Sequence, residues 1–248
     1  MKGYTTIDVL LAALFFKKMC KMKKSSHYSV IFLGLGFGFA LLLAGCQKEY
    51  DYIPQDIMET NSHYALNLAN CQGNLDYLPI ESLNQHEQAS MILMREEEKM
   101  ARDLYLAFDE SWDANTFSNI AKSEQTHMEA MLMLLEKYEL ADPVGVNGIG
   151  QFQNKTLQSL YYELLARGQK SADDALLAAA LIEETDITDL KTALESFVDN
   201  QDITLIYENL LLASGSQLRE LVKKLRQRGI KYVPQLLSQA DYEAILAG

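Results

Sequence analysis

The feature that most constrains this chain is a glutamate and a histidine set into its most regular apolar stripe. Ile120, Glu124, His127, Met131, Leu134 and Tyr138 follow one another at steps of three or four, which is one face of an α-helix. Two polar groups therefore point where a core belongs. A carboxylate and an imidazole one turn apart on an inward face can share a metal ion, the Glu-x-x-His spacing used by carboxylate sites in helical bundles. Without an ion they need other partners, because an unpaired buried charge is costly. What the other helices send to the same place decides between these outcomes.

Asn84 and Glu87 have capping-box spacing and start a helix reaching about Asp109. Its apolar stripes place Glu97 and Glu98 at the edges of a broad buried face, with Glu96 solvated. The second helix runs to about Glu139 before Asp142-Pro143 stops it. A short helix ending at Gly168 follows, and Ser171 caps a third long helix with the stripe Leu176, Ala180, Glu183, Ile187, Leu190 and Leu194. Glu184 falls off that stripe and is expected at the surface. Asp202 is expected to cap the fourth long helix, whose face is Ile206, Leu210, Ala213, Gln217, Leu221 and Leu225, and Ser238 to Leu246 form a small terminal helix.

Four helices thus each bring a polar position to an apolar face: Glu98 or Glu97, Glu124 with His127, Glu183, and Gln217. Several carboxylates and one imidazole around open positions suit two hard cations. Each residue also has a structural alternative. The Glu97 and Glu98 run can be a solvated face, Glu183 can pair with Arg102 or Arg167, His127 can be a satisfied core histidine, and Gln217 can cap a backbone group.

The N-terminus reads as an address. Met22 opens MKKSSHYSVIFLGLGFGFALLLAGC, with lysines, an apolar run and small residues before Cys46, the pattern of a secretory signal peptide. Residues 1–21 read as a start site placed too early, 22–46 as the signal, 47–79 as a tether without helical period, and 80–248 as the main domain. Residues 1–45 carry a net charge of +5, so the remainder carries −17 of the total −12. That excludes nucleic acid as a partner. Cys20, Cys46 and Cys71 form no C-x-x-C pair, so any metal is held by oxygen and nitrogen. Cys71 reads as a lone thiol without a role.

Leu43-Ala44-Gly45-Cys46 resembles the bacterial lipobox, which implies lipidation of Cys46 and a membrane-anchored, extracytoplasmic protein of the outer membrane or cell surface. From about Leu83 to Ile245 the chain resembles the bacterial ferritin-like family known as domain of unknown function 2202. The matching words are Arg95-Glu-Glu-Glu-Lys-Met-Ala-Arg-Asp103, Ser123-Glu-Gln-Thr-His127, Ile182-Glu-Glu-Thr-Asp-Ile-Thr-Asp-Leu190 and Tyr232-Val-Pro-Gln235. The resemblance implies an all-α fold, a ferritin-like four-helix bundle with an extra crossover helix and a short C-terminal helix.

Glu98-x-x-Ala101-Arg102-x-x-Tyr105 looks like the first-helix word of rubrerythrins, which puts Glu98 ahead of Glu97 as a ligand. By the same resemblance Glu124 bridges, His127 binds one metal, Glu183 binds the other, and Asp186 matches a second acidic position. Where such proteins usually place a histidine on the fourth helix, this chain has Gln217, as ferritin heavy chains also do. Tyr105 matches the tyrosine near the ferritin oxidation centre. The expected cofactor is iron as a di-iron site, with manganese or zinc as alternatives, and the expected chemistry is oxidation of Fe(II) by dioxygen or peroxide. A homodimer is compatible with this, and a metal-free scaffold or binding module of the envelope is the other class of function.

Overall fold

The computed structural model describes residues 55–58 and 64–248. The leader, Cys46 and the first part of the tether lie outside the described residues. No described helix is long and apolar enough to cross a membrane.

The described chain is all-α, with helices α1 (Leu68–Tyr77), α2 (Gln85–Trp112), α3 (Asn115–Lys137), α4 (Lys155–Gly168), α5 (Ala172–Ser196), α6 (Gln201–Gln227) and α7 (Gln239–Ala247). The capping box of α2 is formed in both directions: Asn84 accepts from the His86 and Glu87 amides, and Glu87 accepts from the Asn84 amide. Ser171 accepts from the Asp174 amide at the start of α5. Asp202, expected as the cap of α6, lies inside its first turn; the cap position is Asn200, two residues earlier. Asp202 instead receives the Tyr138 hydroxyl at 2.7 Å and pairs with Lys137 at 2.6 Å, so its carboxylate ties α3 to α6.

The long helices pack α2 on α3 and α5 on α6, and α2 also meets α5 while α3 meets α6. Two apolar clusters fill this bundle. Met91, Met94, Met131, Leu134, Leu190, Ile206 and Leu210 belong to one; Met100, Leu104, Phe108, Ile120, Ile182, Leu218 and Leu225 belong to the other. Along α2 and α6 the chain passes from the first cluster to the second, and along α3 and α5 from the second to the first. So α2 runs antiparallel to α3 and α5 antiparallel to α6, while α3 and α5 run the same way. A same-direction step needs a return across the bundle, and residues 138–171 with α4 supply it. In α2, α3 and α6 the polar position falls where the clusters meet, and in α5 Glu183 and Asp186 precede the passage to the first cluster at Leu190.

Two carboxylates placed at the surface by periodicity are buried. Glu96 is 2% exposed and accepts from the Gln153 and Asn154 amides at 2.5 and 2.9 Å, while on the same helix Lys99 and Asp103 hold the Gly148 carbonyl and the Gly150 amide. The crossover loop lies over this side of α2, and its free amides need acceptors. Glu184 is fully buried. One of its oxygens accepts from the amides of Gln235, Leu236 and Leu237 at 2.7, 2.5 and 2.7 Å, and the other from the Tyr232 hydroxyl at 2.5 Å. The C-terminal segment folds back over α5 and covers it.

The tether also differs from expectation. Leu68–Tyr77 is helical, capped by Asn67, with Cys71 and Leu75 inward against α3 and α6. Its low amphipathicity hid it: the packed face is only Cys71, Asn74 and Leu75. Asn74 is buried as well, exchanging hydrogen bonds with the Gln55 main chain.

Candidate metal centre

The polar layer is built from four helices and one backbone carbonyl. Glu124 and His127 stand one turn apart on α3, as their spacing demands, and both are buried. Glu98 enters from α2: His127 Nδ1 lies 3.2 Å from Glu98 Oε2 and 2.9 Å from Glu124 Oε2. Ligand atoms of these three residues all fall within 4.8 Å of one another, a grouping able to hold one metal ion. On the far side of the ring, Nε2 lies 2.6 Å from the Tyr64 carbonyl oxygen and 3.2 Å from Ser123 Oγ.

Glu183 and Asp186 come from α5 and are fully or almost fully buried. The Tyr105 hydroxyl donates to Glu183 Oε1. From α6, Gln217 Nε2 donates to Glu124 Oε1 at 2.6 Å. Glu97 turns from this group toward Asp189, with which it shares a hydrogen bond. Of the two adjacent glutamates, then, Glu98 reaches the histidine. Arg102 pairs with Asp103 and Gln125 rather than with Glu183.

Charge in the layer is unbalanced. Glu98, Glu124, Glu183 and Asp186 face one imidazole, while the buried cations of α2 are engaged elsewhere, Lys99 with Asp103 and Arg95 with Asp142. Burial pushes Glu98 up to about 8, with Glu124 adding to the rise and His127 opposing it. Glu183 and Asp186 are raised well above the carboxylate range by burial and then by their acidic neighbours. Burial alone lowers His127, but Glu124 and Glu98 reverse this and hold its proton well above the ordinary range. The Tyr105 hydroxyl is kept protonated by burial and by Glu183.

Several oxygens remain without hydrogen-bond partners: Glu98 Oε1, Glu183 Oε2, Asp186 Oδ1 and Gln217 Oε1. Buried acceptors are normally satisfied. A donor set of carboxylate oxygens with one imidazole nitrogen suits a hard or borderline divalent cation, and a cation supplies the missing positive charge that protons otherwise supply. The residues present fit such an ion.

Three participants are absent from the sequence argument. Ser123 precedes His127 by one turn, so its position was readable. Asp189 continues the three-residue spacing of Glu183 and Asp186. The Tyr64 carbonyl had no signal, because any residue carries one.

Residues 87–248 match a family model described as uncharacterized protein domain DUF2202. A curated relative, uncharacterized protein MJ0754 of Methanocaldococcus jannaschii, is 44% identical over 165 residues, spanning 66% of this chain and 89% of the relative. The crystal structure of hypothetical protein MJ0754 from Methanococcus jannaschii superposes with a TM-score of 0.67 at 44% identity, covering 69% of this chain and 97% of that one.

Proposed function

Since the chain belongs to the DUF2202 family, whose description assigns no activity, we propose from its buried polar layer that it is a ferritin-like metal-binding protein with a di-iron carboxylate centre. The carrying observation is the charge imbalance: four buried acids and unpartnered oxygens around one histidine, with the buried cations Lys99 and Arg95 paired elsewhere. Glu98, Glu124 and His127 would hold one ion. Glu124, Glu183 and Asp186 would hold the other, and Gln217 would steady Glu124 from α6.

Bound there, iron would supply one-electron chemistry toward dioxygen or peroxide. The chain's own contributions are separate. Glu124 would serve both positions, the apolar clusters on either side exclude bulk water, and Tyr105 keeps a hydroxyl proton beside Glu183. A ligand histidine and carboxylates must lose their protons to accept a cation, so uptake releases protons from the layer. Cys46, by its lipobox resemblance, would anchor the chain to an extracytoplasmic membrane face.

Anaerobic loading of the purified chain with Fe(II), followed by an oxygen pulse and near-ultraviolet absorbance, tests the proposal. About two irons per chain and a new band, both lost in Glu124→Ala, are expected for a bundle site of this type. No stoichiometric uptake of iron, manganese or zinc would overturn it in favour of a metal-free scaffold. Loss of lipid labelling in Cys46→Ser tests the anchor.

A further inference from the structure

The histidine of the layer is held from outside the family domain. Residues 55–58 and 64–66 lie before the matched region, which begins at residue 87. Met58 bridges to Leu66, the Asn67 amide donates to the Ile57 carbonyl at 2.7 Å, and Ile57 and Leu66 are each 1% exposed. The strap is fixed to the bundle beside the site itself: the Leu66 amide donates to Thr126 Oγ1 at 3.0 Å, and that hydroxyl donates to the Ser123 carbonyl at 2.7 Å. Its other end is held by two hydrogen bonds between Gln55 and Asn74 on α1.

We propose that the main-chain carbonyl of Tyr64 is a positioning group of the centre, fixing a hydrogen on His127 Nε2 and leaving Nδ1, which faces Glu98 and Glu124, as the ligand nitrogen. A carbonyl oxygen can only accept, so at 2.6 Å the imidazole Nε2 is the donor. Ser123 Oγ, at 3.2 Å from the same nitrogen, can donate or accept and by itself leaves the tautomer open. Ligand histidines are commonly oriented by such a bond on the opposite ring nitrogen. Here that bond comes from a strap outside the family domain, so docking of the strap and affinity of the site are one equilibrium.

This rests on the metal-binding function proposed above, and the test separates the two. Leu66→Asp and Thr126→Val are made in the full chain to undock the strap, with Ser123→Ala as contrast. Co(II) titration reports affinity, and the protected His127 Nε2–H resonance of the metal-free protein reports the hydrogen bond. The strap variants are expected to lose the resonance and to bind Co(II) about 10- to 100-fold more weakly, the range for loss of an orienting partner, with helix content by circular dichroism unchanged. Ser123→Ala, which removes only the longer contact to Nε2, is expected to weaken both less than the strap variants do. Unchanged Co(II) affinity in both strap variants, or loss of both signals in Ser123→Ala alone, overturns the positioning role. A parent chain that takes up no Co(II) overturns the metal-binding function instead; survival of the Nε2–H resonance in Leu66→Asp then overturns the positioning role as well.

Discussion

Gln217 Nε2 donates to Glu124 Oε1 across the bundle at 2.6 Å. The fourth long helix therefore contributes to the layer through the very carboxylate that its neighbours share. Gln217→Leu removes this donor, and a hydrogen bond of this kind to a buried carboxyl contributes about 2 kcal/mol. A loss of that size is expected in urea denaturation of the metal-free protein. Gln217→Glu, which adds a carboxylate, is expected to lower metal-free stability further while tightening Co(II) binding, measured by titration.

Glu184 offers a test of the fold independent of any metal. Its carboxylate satisfies three amides and the Tyr232 hydroxyl, and each donor orphaned in a buried place costs about 1–3 kcal/mol. Glu184→Ala is expected to cost about 3 kcal/mol or more on that basis. Hydrogen exchange at Gln235, Leu236 and Leu237 should accelerate before the bundle itself opens. Tyr232→Phe should cost about 1 kcal/mol, since it removes a single hydrogen bond.

Glu96, Glu184 and His127 mark how far the sequence carries. Periodicity located the helices, their faces and the Glu124–His127 pair, because helical spacing alone decides which side chains share a side. It failed for Glu96 and Glu184, whose partners include backbone amides 51 or more residues away in sequence. A helical wheel treats the face opposite the core as water, yet here the crossover loop and the C-terminal segment occupy it. The Tyr64 carbonyl was unreadable for the same reason. Glu97 and Glu98 were separated only by resemblance; the structure separates them by partner, Asp189 against His127.

The layer should make metal-free stability fall with rising pH. Glu98 has its proton affinity raised from 4.5 to about 8 by burial, so the folded chain binds that proton where the unfolded chain does not. The stability it contributes is fully present below about 4.5 and is lost as pH rises through about 8. His127, raised well above 6.5 by Glu124 and Glu98 against burial, acts in the same direction: its contribution is fully present below 6.5 and is lost as pH rises through its folded value. Urea midpoints under chelation are expected to drop from pH 5 to pH 8, by up to about 1.4 kcal/mol per unit for each proton involved. Glu98→Gln should flatten the slope. Co(II) affinity should rise over the same window, because a bound cation displaces these protons.

Cys71 reports on the strap and α1 from a safe distance. It is fully buried, and burial pushes its thiol up to about 12. At pH 8 its thiolate fraction is about one in ten thousand, and the thiolate is the reactive form. Iodoacetamide should therefore leave Cys71 unmodified in the folded chain and label it rapidly in urea, as read by peptide mass spectrometry. Slow native labelling then measures local opening of α1. Asn74 on that helix holds Gln55 of the strap, and the strap holds His127 through Tyr64. Co(II) bound by His127 should accordingly slow Cys71 labelling in the parent. In Thr126→Val, where the strap loses its contact beside the site, the same ion should leave the labelling rate unchanged.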